Sequence, residues 1–163
     1  MISFEELHDM LLPEIIKRMV KHQGLTNFAS IRAKYEGWLK VELCDILSNQ
    51  FDEVLPEQNR IDISFNDWVI ELKTLNTNYR HNNVKKMHKP ITNNVKGVIN
   101  DIDKLRKIKN KKRGIIFTVY PVDEKNSYWI YHSNKITSNF TDFKIQYFTF
   151  KNGIPGLIYF GVV

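Results

Sequence analysis

A lone cysteine, Cys44, means that no disulfide can form within this chain, and the default expectation is a reducing compartment, the cytoplasm. No apolar run approaches the ~20 residues that cross a bilayer, so no membrane association is predicted. Glu5 and Glu6 stand where a secretory leader would carry basic residues ahead of an apolar stretch, and no leader is expected. Internal repeats and low-complexity tracts are also lacking. Acidic residues are in deficit, 18 against 24 Lys and Arg, for a net charge of +6. That imbalance favours polyanionic partners, although a lysine-rich solvated surface explains the net figure equally well. Its location says more. Arg80, His81, Lys85, Lys86, His88 and Lys89 cluster between two ordered-looking segments. A second group from Lys104 to Arg113 closes a following helix, where basic residues also complement the helix dipole.

What is present suits one globular domain over residues 1–163, with 42% hydrophobic and 26% charged residues. Ser3 and Glu6 form a capping box opening a short helix that Pro13 should stop, with Pro13 starting the next. Gln23-Gly24 ends that second piece, and Thr26 or Asn27 caps a long helix to about Asn49, carrying Phe28, Ile31, Tyr35, Trp38, Leu39 and Ile46 at helical spacing. Gly37 within it suggests a close neighbour. Strands are predicted at 51–55, 60–65 and 67–74. In the second, Ile61, Ile63 and Phe65 alternate with Asp62 and Ser64. In the third, Trp68, Ile70 and Leu72 alternate with Val69, Glu71 and Lys73. A basic, Asn-rich loop leads to an amphipathic helix around Val95–Ile108, and 114–120 reads as a buried strand. Strands are further expected at 127–131, 143–150 and 157–163. The order predicts an α/β sandwich around a mixed sheet.

The chemistry lies in the second and third strands. A hairpin turn at Asn66-Asp67 pairs Phe65 with Trp68, Ser64 with Val69, Ile63 with Ile70, and Asp62 with Glu71. Two carboxylates then stand ~5 Å apart on one face, an arrangement that needs a cation between them. Hard divalent cations such as Mg²⁺ take such oxygens, with Mn²⁺ as a substitute. Lys73, two residues beyond Glu71, points from the same face, where an ammonium can hold a water or stabilise a phosphoryl oxygen. On the long helix Glu42 falls within the apolar stripe, where a carboxylate is costly to bury unless paired or metal-bound. Glu36, off to one side, is the second choice for a helix carboxylate. Asp62 and Glu42 also admit ordinary ion pairing, with Lys40 or Arg32 in reach of Glu42 along the sequence. None of the five histidines shows zinc-ligand spacing, the tryptophans read as core, and Cys44 reads as a small buried hydrophobe.

Asp62, then Glu71-Leu72-Lys73, preceded by a helix bearing a glutamate and followed by a helix and a strand, resembles the PD-(D/E)XK nuclease superfamily over roughly residues 28–120. Ile61 stands where many members carry proline. The resemblance implies a restriction-endonuclease-like core, a central mixed β-sheet flanked by helices, with extra C-terminal strands. It implies that Asp62, Glu71 and the Leu72 carbonyl bind Mg²⁺, that Lys73 positions the attacking water, and that Glu42 is the helix carboxylate at the metal. The expected activity is metal-dependent endonuclease hydrolysis of DNA. Arg80, Lys85, Lys86 and Lys89 would grip the backbone, and a homodimer would cut both strands. DNA rather than RNA follows from the resemblance alone. The alternatives are a nucleic-acid-binding protein that keeps the fold without turnover, and an interaction protein whose acidic pair is incidental.

Overall fold

The computed structural model describes residues 1–85 and 90–163. Its first helix, α1 (Phe4–Lys21), opens with the expected capping box: the Ser3 hydroxyl accepts from the Glu6 N–H at 3.2 Å, and Glu6 Oε2 accepts from the Ser3 N–H at 2.8 Å. The helix then runs through Pro13 instead of stopping there. Leu7, Leu11, Leu12, Ile15 and Met19 form one unbroken buried stripe, whereas Pro13 and Asp9, whose carbonyl loses its donor, face solvent. Burial of the stripe outweighs a local penalty that falls where water can compensate it. Pro13→Ala is expected to raise stability by about 1–3 kcal/mol, read from the chemical-denaturation midpoint.

The long helix expected from Thr26 to Asn49 is two helices, α2 (Gln23–Ser30) and α3 (Glu36–Ser48). Between them Arg32 adopts a left-handed φ of 55°, and its side chain is buried. The guanidinium donates to the Thr77 carbonyl at 2.7 Å and to the Tyr79 carbonyl. The Asn76 amide donates back to the Arg32 carbonyl, and the Tyr120 hydroxyl donates to that of Ala33. Long-range bonds therefore take the backbone groups that a continuous helix would have used. Gly37 has nothing within 4 Å of where a Cβ would stand, so no close neighbour explains it.

Six strands follow among the described residues: β1 (Val54–Gln58), β2 (Ile61–Phe65), β3 (Trp68–Asn76), β4 (Lys112–Tyr120), β5 (Asp142–Thr149) and β6 (Pro155–Val162). They form one sheet in the order β1-β2-β3-β4-β6-β5. All neighbours are antiparallel except β3 and β4, whose parallel pairing is joined through α4 (Ile91–Arg106). The class is α/β, with a mixed sheet flanked by helices. On one face α1, α2 and α3 pack over Ile63, Phe65, Trp68, Ile70, Leu72 and Phe160. On the other, α4 and α5 (Ser127–Thr137) pack over Val69, Leu75, Ile115, Phe117 and Tyr159, and Ile61 joins this second core rather than that of Ile63 and Phe65.

Helix α5 replaces the strand expected at 127–131. Its aromatic and β-branched residues suit a strand by composition. However, Asn126 Oδ1 caps the Trp129 N–H at 3.0 Å, and Trp129, Ser133 and Ile136 are buried at helical spacing. Trp129 Nε1 also donates to the Tyr159 hydroxyl at 2.8 Å, fixing that face on the sheet. The outer strand β5 leaves Phe143, Ile145 and Tyr147 exposed. No helix among the described residues is long and apolar enough to cross a membrane.

Candidate functional site

The hairpin register is the expected one for three of the four pairs, Phe65 opposite Trp68, Ser64 opposite Val69 and Ile63 opposite Ile70, but the ladder does not extend to the expected pairing of Asp62 with Glu71. There the β2–β3 ladder ends, while β3 continues beside β4 to Asn76. Beyond Ile70, β3 therefore has an open edge whose backbone groups need other partners. Two carboxylates supply them. Asp62 Oδ2 accepts from the Leu72 N–H at 2.8 Å, and Glu36 Oε2 accepts from the Thr74 N–H at 2.9 Å. Because the N–H and C=O of one strand residue point to the same side, the Leu72 carbonyl faces this edge as well.

Asp62 and Glu71 meet at the same place. Asp62 Oδ1 lies 2.6 Å from Lys40 Nζ, and Lys40 also hydrogen-bonds Glu57. Burial would raise the Asp62 carboxyl, but the Lys40 ammonium and the Leu72 N–H bring it below the usual carboxylate range. Glu71 has neither aid. It is only 5% exposed, and its Oε1 is buried without a hydrogen-bond partner among the described residues. Burial, then a hydrogen bond shared with Asp62 and the adjacent Asp62 charge, pushes it up to about 8.

Lys73 leaves β3 beneath α4, its Cε passing 3.8 Å from where a Cβ would stand on Gly97. One turn further on, Asp101 takes its ammonium at 2.6 Å and that of Lys104 at 2.7 Å. Burial works against the Lys73 charge, yet Asp101 raises the ammonium above its ordinary value.

Glu42 is not brought to this edge. Its Oε2 is held by Arg18 of α1 at 2.7 Å, in an ion-pair group with Asp45 and Glu14. The helix carboxylate that reaches β3 is Glu36, because α3 begins only at Glu36 and directs that first turn at Thr74. Arg80 and Lys85 are exposed on the segment joining β3 to α4, the two elements that carry Lys73 and Asp101. Lys86 and Lys89 lie outside the described residues.

Sequence reasoning missed Lys40 and Asp101. Asp101 carried a usable signal, for it stands within the apolar stripe of Val98, Ile102 and Leu105, the criterion that singled out Glu42. Lys40 follows Glu36 by one helical turn, a spacing that marks a shared face and nothing more.

Comparison with protein-family models, curated proteins and solved structures gives no match. The chemistry of the site is therefore that of its own residues.

No three His, Cys, Asp or Glu side chains among the described residues are grouped to hold a metal ion. The donor set at the β3 edge is two carboxylates and a backbone carbonyl. This fits Mg²⁺, which keeps several waters and needs only one or two protein carboxylates. The orphaned Glu71 Oε1 beside a second carboxylate is the atom such an ion would satisfy. A pH dependence follows. The folded-state value for Glu71 is raised from 4.5 to about 8, so its contribution to stability is full below pH 4.5 and is lost as pH rises towards 8. A cation needs the ionised form, so affinity is expected to rise about tenfold per pH unit from pH 6 and level off near 8. Calorimetry in two buffers of unlike ionisation enthalpy should show about one proton released per ion at pH 6.5.

Proposed function

We propose that this protein is a Mg²⁺-dependent endonuclease that hydrolyses DNA phosphodiester bonds on a restriction-endonuclease-like core. The observation that carries the reading is the meeting of Asp62 with Glu71, whose buried Oε1 has no partner, beside Lys73 on the same strand. The succession α3, β1, β2, β3, α4, β4, with the antiparallel hairpin and the parallel β3–β4 pair, supports the core. A pure binding module has no need of a buried carboxyl group held protonated well above its ordinary range, which costs stability at neutral pH.

Asp62, Glu71 and the Leu72 carbonyl would hold the ion. When bound, Mg²⁺ supplies positive charge at a phosphoryl oxygen and polarises a water. Glu71 gives up its proton to bind. Asp62 stays ionised because Lys40 and the Leu72 N–H favour its charge. Asp101, and to a lesser degree Glu36 fixed on Thr74, contribute the negative charge that keeps Lys73 protonated. Lys73 orients the attacking water and faces the developing phosphoryl charge. Arg80 and Lys85, with Lys86 and Lys89, provide sequence-blind, salt-dependent attraction for the backbone.

The test is Mg²⁺-dependent cleavage of a panel of linear duplex, single-stranded and branched DNA. Expected is cleavage that needs the metal and is lost in Asp62→Asn. Binding without metal-dependent cleavage, or cleavage equal in the variant, would overturn the reading in favour of a nucleic-acid-binding role.

A further inference from the structure

Lys40 stands apart from the other basic residues of the site. It reaches from α3 into the acidic pair itself, with its side chain 17% exposed and Nζ at 2.6 Å from Asp62 Oδ1. The other Asp62 oxygen is committed to the Leu72 N–H. An ion shared by Asp62 and Glu71 would stand close to this ammonium, and two positive charges on one carboxylate repel each other strongly in a half-buried site. Lys73 does not conflict in this way, because its acid is Asp101, outside the proposed donor set.

Lys40 has somewhere to go. Its ammonium is already hydrogen-bonded to Glu57 of β1, whose side chain is 70% exposed. Withdrawal breaks one ion pair and keeps the other, so no ammonium is left unpartnered. Glu57 is also a non-glycine residue at a left-handed φ of 58°, a backbone conformation uncommon for glutamate, and it is there that its carboxylate meets Lys40.

Resting on the reading of Asp62 and Glu71 as metal ligands, we infer that Lys40 competes with the divalent cation for Asp62 and withdraws onto Glu57 when the cation binds. Lys40 is a positioning residue in this scheme. It holds Asp62 ionised and seated on Leu72, and it sets the cation concentration at which the site fills.

The test is Mn²⁺ binding, by calorimetry, to the full chain and to Lys40→Met, Glu57→Gln and Asp62→Asn. Removing the competitor is expected to tighten Mn²⁺ about tenfold in Lys40→Met, while thermal stability measured without metal falls. Removing the refuge is expected to weaken Mn²⁺ about threefold in Glu57→Gln, a change at an exposed residue that leaves the fold intact. Opposite signs from two partners of one ion pair would not come from a merely structural role. Unchanged or weaker binding in Lys40→Met, or unchanged binding in Glu57→Gln, overturns the inference. Should Lys40→Met not fold, Glu57→Gln decides alone. Should the wild type bind Mn²⁺ equally to Asp62→Asn, or should no variant bind it, the metal-site reading itself fails and takes this inference with it.

Discussion

Replacing Lys73 by alanine is expected to lower Mg²⁺-dependent DNA cleavage on the order of 10²–10³-fold, the usual cost of losing one preorganised charge from a transition state. The fold should survive. Asp101, which is buried and would otherwise be left as an uncompensated charge, keeps Lys104 at 2.7 Å. The main-chain bonds of β3 to β4 do not involve the side chain. Mn²⁺ affinity should change little, since Lys73 pairs with Asp101 and not with the acidic pair. Lys73→Arg should not restore the rate, because a planar fork cannot take the place of a compact ammonium under Gly97. The measurements are single-turnover cleavage and metal calorimetry on the same preparations. Full activity in Lys73→Ala would remove Lys73 from the reaction and leave it a structural partner of Asp101.

Arg32→Ala is expected to destabilise the protein by about 2–4 kcal/mol, read by equilibrium denaturation. The figure follows from the buried carbonyl of Thr77 and the part-buried one of Tyr79, which lose their donor at about 1–3 kcal/mol each with partial rescue by water. A second effect should accompany it. Arg32 ties the α2–α3 connection to the segment leaving β3, and α3 carries Glu36 and Lys40. Loosening that tie should reduce metal affinity even where enough protein remains folded. Arg32→Lys should recover little, because one ammonium cannot span both carbonyls in the same plane. A loss below about 0.5 kcal/mol would mean that Asn76 and the Tyr120 hydroxyl hold the connection without Arg32.

The hairpin of β2 and β3 and the placing of Asp62 beside Glu71 were legible in the sequence, because side-chain alternation and a short turn leave only one register that buries Ile63, Ile70 and Leu72 together. The same held for α4, β4 and the mixed α/β class. The sequence could not say which helix carboxylate meets the strand. On a continuous helix Glu42 lay in the apolar stripe. Arg32, held by carbonyls more than forty positions away in the chain, breaks that helix and starts α3 at Glu36, and the stripe ends on Arg18 instead. Pro13 and the Ser127–Thr137 helix followed the same rule, local propensity giving way to a buried face assembled from distant residues. Periodicity is a property of neighbours in the chain, and it determined the β2–β3 hairpin and the faces of Ile63, Phe65, Ile70 and Leu72. The partners of Lys40, Lys73 and Glu42 depend on which elements stand side by side, and only the tertiary structure decided them.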